Sequence, residues 1–350
     1  MKAKKTFLAA VLVTNGGLLS EVSAESLLYV PTGESNEIVV IDAATHKITN
    51  RIGELENAHG LAAAPDGAYL VAGSQDESSV AGEWSADKPA AVTEEEHEAH
   101  HKASASAGKS FLSIVNREHG HVQRRIAVEG RTHHTAVSPN GKFAIAVHTT
   151  TGGISVVDLE QSTVIKKIST GSTPNYAVFD QAGDFVYVSN AGAGTVSKIA
   201  TDKWEIVEQI AVGKGPEHLE MAPDGETLFV VNVIDGTVSA INVADSKVVA
   251  TYDVGKSPHG ASVSADGKYL FASAKGEDLV IRITLATGDK ARAPVAPEPY
   301  HVSYIRGIDK VYVSSRAEPK IWVIDPLSLK VEDAIDIGSG VAHQLVEIDR

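Results

Sequence analysis

Residues 93–102, TEEEHEAHHK, hold three histidines and four glutamates, the densest group of metal-ligand side chains in the chain. The flanking residues are mostly Ala, Ser, Lys and Pro, a composition typical of a flexible insertion. If the segment forms a helical turn, Glu94, His97 and His101 share one face, an arrangement that can chelate a cation. We therefore predict His97, His100 and His101 to be metal ligands on a flexible, His/Glu-rich insertion at about residues 77–108.

Seven other histidines stand just before small apolar runs that recur along the chain. They occupy half of fourteen positions that form seven consecutive pairs, whereas an even spread of the chain's 14 histidines would place fewer than one there. The pairs are His59-Gly60, His133-His134, Asn175-Tyr176, Glu217-His218, His259-Gly260, Tyr300-His301 and His343-Gln344.

The apolar runs belong to a repeat. Copies begin at Pro174, Pro216, Pro258 and Pro299, with separations of 42, 42 and 41 residues, and earlier copies begin near His59 and His133. Each copy reads as four short strands joined by turns such as Pro-Asp-Gly. A four-stranded repeat of this length is typical of a β-propeller blade.

The two ends of the chain share the seventh copy. The N-terminal LLYVPTGESNEIVVIDAATHKITNRIG supplies strands two to four, and the C-terminal HQLVEIDR supplies strand one. Pairing the ends within one blade closes the ring and removes the free sheet edges. We therefore predict an all-β, seven-bladed β-propeller over residues 25–350, with the last blade closed by the C-terminal strand and the N-terminal strands.

Blade topology places both groups of histidines on one face. In an up-and-down blade, the connections from strand two to three and from strand four to the next blade open on the same face. The 74 residues from His59 to His133 leave about 32 extra residues between strands two and three of the first blade. TEEEHEAHHK is therefore predicted above the face where the first strands begin, around the mouth of the central channel. His148, at the end of a second strand, is predicted on the same face.

We call the seven pairs the histidine collar, and its ligand chemistry suits zinc. Imidazole and carboxylate ligands suit Zn²⁺, and they suit Cu²⁺ or Ni²⁺ less specifically. Thiolate ligation is excluded because the chain has no Cys. Because zinc takes about four ligands, a site would use two or three histidines from adjacent blades. Their affinity is expected to fall as pH drops through the histidine range.

The sequence predicts metal ligands in the collar and does not choose among them. A first group lies beneath the insertion, a pairing of His259 with His301 or His343 comes second, and His218 stands beside the carboxylate Glu217. For any single collar histidine, a structural hydrogen bond to loop backbone is the alternative. The first group contains His59, His133, His134 and His148.

The first 24 residues, MKAKKTFLAAVLVTNGGLLSEVSA, combine a Lys-rich start, a short apolar run and small residues at the end. This pattern is typical of a secretory signal peptide, so the mature chain is expected in the periplasm without membrane insertion. The net charge of −14 opposes nucleic-acid binding and attracts cations. The chain is expected to be a monomer.

Two resemblances follow from these residues. VYVSNAGAGTVSKI and LFVVNVIDGTVSAINV resemble the YVTN family of β-propeller repeats. A leader, a Cys-free seven-bladed propeller, a histidine collar and a Glu/His-rich insertion together resemble the periplasmic zinc metallochaperones of the AztD family. That resemblance implies that the chain binds Zn²⁺ and delivers it to the solute-binding protein of an ABC zinc importer.

Three other functions stay open. A tetrapyrrole-binding propeller, similar to the haem d1 domain of nitrite reductases, could use His59 or His259 as an axial ligand. A lactonase-like or copper-cluster enzyme is a second alternative, and an interaction scaffold is a third. Because neither a G-x-S-x-G elbow nor a complete phosphate loop occurs, the chain is predicted not to be an enzyme.

Overall fold

The structure, a computed structural model, describes residues 26–76 and 108–349. The predicted signal peptide and the predicted ligands His97, His100 and His101 lie outside these residues. Within the described residues, all regular structure is β except one 3₁₀ turn at Lys275–Glu277. No helix in this part of the chain is long and apolar enough to cross a membrane.

Seven four-stranded antiparallel sheets form the fold, and the predicted seven-bladed β-propeller is confirmed. The N-terminal segment contains β1 (Ser26–Pro31), β2 (Ile38–Asp42) and β3 (Lys47–Ile52). Blade 1 contains β4 (Ala58–Ala63), β5 (Tyr69–Ser74), β6 (Lys109–Asn116) and β7 (His121–Glu129). Blade 2 contains β8 (Thr135–Val137), β9 (Phe143–His148), β10 (Gly153–Asp158) and β11 (Thr163–Ile168). Blade 3 contains β12 (Pro174–Phe179), β13 (Phe185–Asn190), β14 (Thr195–Ala200) and β15 (Glu205–Ala211). Blade 4 contains β16 (Pro216–Met221), β17 (Thr227–Asn232), β18 (Thr237–Asn242) and β19 (Lys247–Asp253). Blade 5 contains β20 (Pro258–Val263), β21 (Tyr269–Ala274), β22 (Leu279–Thr284) and β23 (Lys290–Pro294). Blade 6 contains β24 (Pro299–Ile305), β25 (Lys310–Ser315), β26 (Lys320–Ile324) and β27 (Val331–Asp336). The C-terminal strand is β28 (Val346–Asp349).

Blade 7 joins the two ends of the chain, as the sequence predicts. Its sheet has the order β28-β1-β2-β3, and Leu27 pairs with Ile348 and Tyr29 with Val346 across the junction. The C-terminal strand therefore supplies the innermost strand of a blade whose other three strands come from the N-terminal segment.

The core lies between neighbouring blades. Leu28, Val39 and Ile41 of blade 7 pack with Tyr312 and Val323 of blade 6 in one buried cluster, and similar clusters occur around the ring. Each fully buried aliphatic side chain contributes roughly 1.5–3 kcal/mol to the free energy of folding. This packing fixes each innermost strand relative to the next.

A β-bulge sets the start of the innermost strand in five blades. In blade 3, Pro174 pairs with Asn190 but Ala177 pairs with Val188, so one extra residue stands on β12. The same shift follows Ala58, Pro216, Pro258 and Pro299. A bulge re-aims the side chains that it contains, and in each of these blades it contains the collar pair.

Candidate metal site at the channel mouth

Five collar histidines meet in one buried group at the starts of the innermost strands. The rings of His343, His133 and His134 lie 3.8, 4.4 and 5.0 Å from the ring of His59, between centroids. His301, from blade 6, reaches within 6.4 Å of His59 and 6.0 Å of His134. All five side chains are buried, so blades that are distant in sequence bring their imidazoles into one group with His59 at its centre.

Two triads within this group can hold a metal ion. His59, His301 and His343 form one, and His59, His133 and His134 form the other. In each triad, one ring nitrogen per residue lies within 4.8 Å of the other two. A tetrahedral zinc ion requires a spacing of about 3.4 Å between its nitrogen ligands, so small side-chain rotations would complete either site.

Two glycines of the collar make room for this arrangement. A Cβ atom on Gly60 would lie 2.6 Å from the Cα atom of His134, and one on Gly260 would lie 2.8 Å from the Cα atom of His301. No real Cβ atom tolerates such backbone contacts, so only glycine lets the next blade approach this closely. The His-Gly pairs of blades 1 and 5 therefore position the histidine contributed by the neighbouring blade.

Blade 3, which contributes no histidine, positions the pair from blade 2. The Nδ1 atoms of His133 and His134 are 2.7 Å apart, and they lie 3.3 and 3.1 Å from the carbonyl oxygen of Asn175. The ring of His134 also packs against Tyr176 at 4.4 Å. Asn175 and Tyr176, which break the histidine pattern in the sequence, thus hold two of the candidate ligands.

Three ring nitrogens at the centre of the group are buried without a hydrogen-bond partner. They are the Nε2 atoms of His59, His134 and His301, and the described residues offer them neither donor nor acceptor. A buried polar atom left unpaired costs about 1–3 kcal/mol, which makes such atoms rare. Each triad includes two of these three residues, so both triads contain imidazole nitrogens that are available to a ligand.

Burial keeps these histidines neutral. It holds the pKa of His59, His134 and His301 well below the usual value of 6.5, and the neighbouring imidazoles lower it further. The site is therefore deprotonated, as metal binding requires, well below neutral pH. The sequence analysis expected metal affinity to fall through the ordinary histidine range, whereas the lowered pKa values place protonation of these three imidazoles at lower pH.

The structure places three other predicted ligands outside the triads. His148 has both nitrogens engaged, by the carbonyl oxygen of Arg131 at 3.0 Å and by the hydroxyl of Ser155 at 2.8 Å. In blades 3 and 4, Asn190 and Asn232 occupy the same position and bond the equivalent serine. His148 thus has the structural role of a repeat residue, which its place at the end of β9 alone did not reveal.

His218 and His259 also have protein partners. The Nδ1 atom of His218 accepts the backbone N–H of Ala261 at 3.3 Å, and burial lowers its pKa to about 3. The Nδ1 atom of His259 lies 3.3 Å from a carboxylate oxygen of Glu217, and its ring stacks on Tyr300 at 3.9 Å. The rings of His259 and His301 are in contact, with centroids 4.8 Å apart, but His259 belongs to neither triad. His301 and His343 form a triad with His59 instead.

One polar residue near the collar was missed. Glu220 lies two residues after His218 on β16 and accepts hydrogen bonds from Ser262 and from the backbone N–H of Val263. Burial raises the pKa of its carboxyl to about 7. Because residues two apart on a strand share a face, the run PEHLEM contained the signal for this residue.

The predicted insertion leaves the fold beside the collar. Ser74, at the end of β5, pairs with Ala58, the residue before His59. On the other side of the gap, the hydroxyl of Ser110 on β6 bonds that of Thr132 at 3.1 Å, one residue before His133. Both ends of the segment that carries His97, His100 and His101 therefore stand at the rim that carries the candidate site.

Comparisons with known proteins agree on the architecture. A family described as YNCE-like β-propeller matches residues 153–267. No curated protein matches the chain. A putative 6-phosphogluconolactonase from Bacteroides uniformis has a TM-score of 0.72 at 16% identity, with 93% of this chain and 100% of that chain covered.

Two further structures show how varied the proteins of this shape are. The periplasmic gluconolactonase of Pseudomonas aeruginosa has a TM-score of 0.70 at 15% identity, covering 92% of this chain and 99% of that chain. Hydrazine synthase of Kuenenia stuttgartiensis has a TM-score of 0.63 at 17% identity, covering 94% of this chain and 100% of that chain. At such identities the likeness concerns the fold, which hosts many activities.

These names correct one prediction. The sequence analysis placed the chain outside the enzymes, and structures of the same fold that are named as lactonases contradict it. The prediction relied on missing local motifs. A propeller gathers its central residues from several blades, so an active site there leaves no contiguous motif to find.

Proposed function

We propose that this protein is an exported zinc-binding protein that carries Zn²⁺ in the collar and delivers it to the solute-binding protein of an ABC zinc importer. The proposal includes a periplasmic location and membership of the AztD family, which the chain resembles in its leader, its collar and its Glu/His-rich insertion. Zinc is the cargo of such a protein.

The observation that carries the proposal is the pair of buried histidine triads that share His59, in which the Nε2 atoms of His59, His134 and His301 have no hydrogen-bond partner. Neutral imidazoles are the form that binds zinc, and these stay neutral because burial lowers their pKa. The chain's net charge of −14 would concentrate cations near the mouth. His97, His100 and His101 would take the ion from solution and exchange it with the collar one ligand at a time.

Metal binding and transfer by the mature protein test this proposal. We expect one tightly bound zinc ion per chain, and a His59→Gln variant should bind at least about 100-fold more weakly because it loses a ligand common to both triads. A His119→Gln/His121→Gln double variant, changed at exposed histidines before and at the start of β7, should bind like the wild type.

Replacing residues 93–102 by a Gly/Ser segment of equal length separates the insertion from the collar. The variant should keep its tightly bound ion and release it more slowly to a chromogenic chelator. A wild type that binds no zinc overturns the proposal, and equal transfer rates remove the insertion from the mechanism.

Metal-dependent hydrolysis is a second candidate, favoured by the ligand count. Zinc held by three histidines keeps a fourth position for water and lowers the pKa of that water to about 7. The zinc-loaded and metal-free proteins should then differ in opening δ-gluconolactone, a reaction followed with a pH indicator. Turnover that requires zinc and disappears in His59→Gln would make the protein an enzyme.

A further inference from the structure

His59 belongs to both triads, and no other histidine does. Resting on the proposed metal binding, we infer that the collar holds one ion in two alternative positions, and that the ion passes between them while His59 stays bound. One position uses His301 and His343, from blades 6 and 7. The other uses His133 and His134, from blade 2.

The grouping of the ring nitrogens separates the two positions. His343 and His133 both lie against His59, with centroid distances of 3.8 and 4.4 Å. The ring centroid of His301 is 6.0 Å from that of His134 and 6.4 Å from that of His59, but its ring nitrogen groups with those of His59 and His343 and not with that of His134. The five rings therefore form two groups around His59, and a four-coordinate zinc ion would leave at least one of the five unbound.

Two ions at once are disfavoured. Both would need His59, and bridging two ions would require a second deprotonation of its imidazole. The triads hold three neutral histidines each and no carboxylate, so two doubly charged ions a few ångströms apart in this buried group would repel strongly. The two positions are thus alternatives for a single ion.

A shared ligand gives the ion a route across the mouth of the channel. Starting from His59, His301 and His343, the ion releases His301 and His343 as it binds His133 and His134. It keeps His59 throughout, so it is never released into solvent. The collar would pass the ion from the blade 6 and 7 side to the blade 2 side.

Two matched double variants test the inference. His133→Gln/His134→Gln leaves only one triad, and His301→Gln/His343→Gln leaves only the other. For two exclusive positions, the association constant of the wild type equals the sum of the constants of the two double variants. We therefore expect each double variant to bind one zinc ion, the wild type to bind one, and the two constants to add up to the wild-type value.

Replacing His59 by Gln in either double variant should abolish the remaining binding. Titration against a zinc chelator gives the constants, and thermal unfolding of the metal-free proteins checks that each variant folds. If a double variant does not fold, the single variants His134→Gln and His343→Gln with Co²⁺ as the probe replace it. Each should then keep a cobalt absorption band that differs from that of the other.

The alternatives give distinct results. Two zinc ions per wild-type chain would mean independent sites, and a sum far below the wild-type constant would mean one site that uses all five histidines. Binding lost in one double variant and unchanged in the other would leave a single triad. Any of these overturns the inference while zinc binding stands, whereas a wild type without zinc binding overturns the proposed function as well.

Discussion

Burial controls the chemistry of single residues in the collar. Imidazoles at a surface titrate near pH 6.5, but those of His59, His134 and His301 are desolvated and crowd one another. Their neutral form is therefore favoured by the fold, and protonation has to overcome both burial and mutual repulsion. The proposed metal site should therefore become protonated at a lower pH than surface histidines do.

Glu220 provides a test of the same burial effect, which raises the pKa of a carboxyl group where it lowers that of an imidazole. Its pKa in the folded protein, about 7, lies above the usual carboxyl value of 4.5. The native state thus binds more protons between these values, so the stability that the carboxyl contributes is present below pH 4.5 and is lost as pH rises through 7. A Glu220→Gln substitution keeps the acceptor for Ser262 and Val263 and removes the charge.

We expect Glu220→Gln to raise the free energy of unfolding at pH 8 by about 1–3 kcal/mol relative to the wild type. The gain should shrink as the pH is lowered to 5, and urea unfolding at several pH values measures it. Glu226→Gln serves as the matched control, because Glu226 is exposed in the turn between β16 and β17. A gain that does not change with pH would contradict the assignment.

At the scale of the element, the start of the innermost strand determines what the collar can do. A regular strand sends successive side chains to opposite faces, yet His133 and His134 both contact His59. In five other blades a bulge holds the corresponding pair. The glycines Gly60 and Gly260 then leave space for the histidine of the following blade.

A Gly60→Ala substitution should therefore disturb both the fold and the site. Its Cβ atom would meet the backbone of His134 and Thr135 at 2.6–2.8 Å, and overpacking of this kind costs about 1–3 kcal/mol. We expect a lower unfolding midpoint in urea and weaker zinc binding through a displaced His134. Gly53→Ala is the matched control, because a Cβ atom there has no heavy atom within 4 Å; equal behaviour of the two variants would refute the argument.

At the scale of the whole molecule, ring closure keeps the collar together. Within blade 7, the innermost strand is held by the pairing of β28 with β1, and His343 lies just before that strand. The meeting of the two chain ends therefore helps to place His343 in the collar. Closure also supplies the edge protection that a sheet of three strands lacks.

Deleting residues 346–350 should lower the thermal unfolding midpoint by about 10 °C or more, because it unpairs Leu27–Tyr29 and opens the ring. A circular permutant provides the control. It joins residue 350 to residue 26 through a short linker and begins at the exposed Lys203 in the turn between β14 and β15, and it should unfold near the wild-type temperature. A deletion variant as stable as the wild type would show that closure contributes little.

The sequence alone determined the repeat, the number of blades, the closure by the two chain ends and the face that carries the histidines. These features follow from short-range periodicity and turn chemistry, which each blade expresses locally. Which histidines meet was decided by the tertiary structure. His301 of blade 6 approaches His59 of blade 1 while His148 bonds Ser155 within its own blade, and both outcomes depend on bulges, glycine contacts and blade packing that no local pattern encodes.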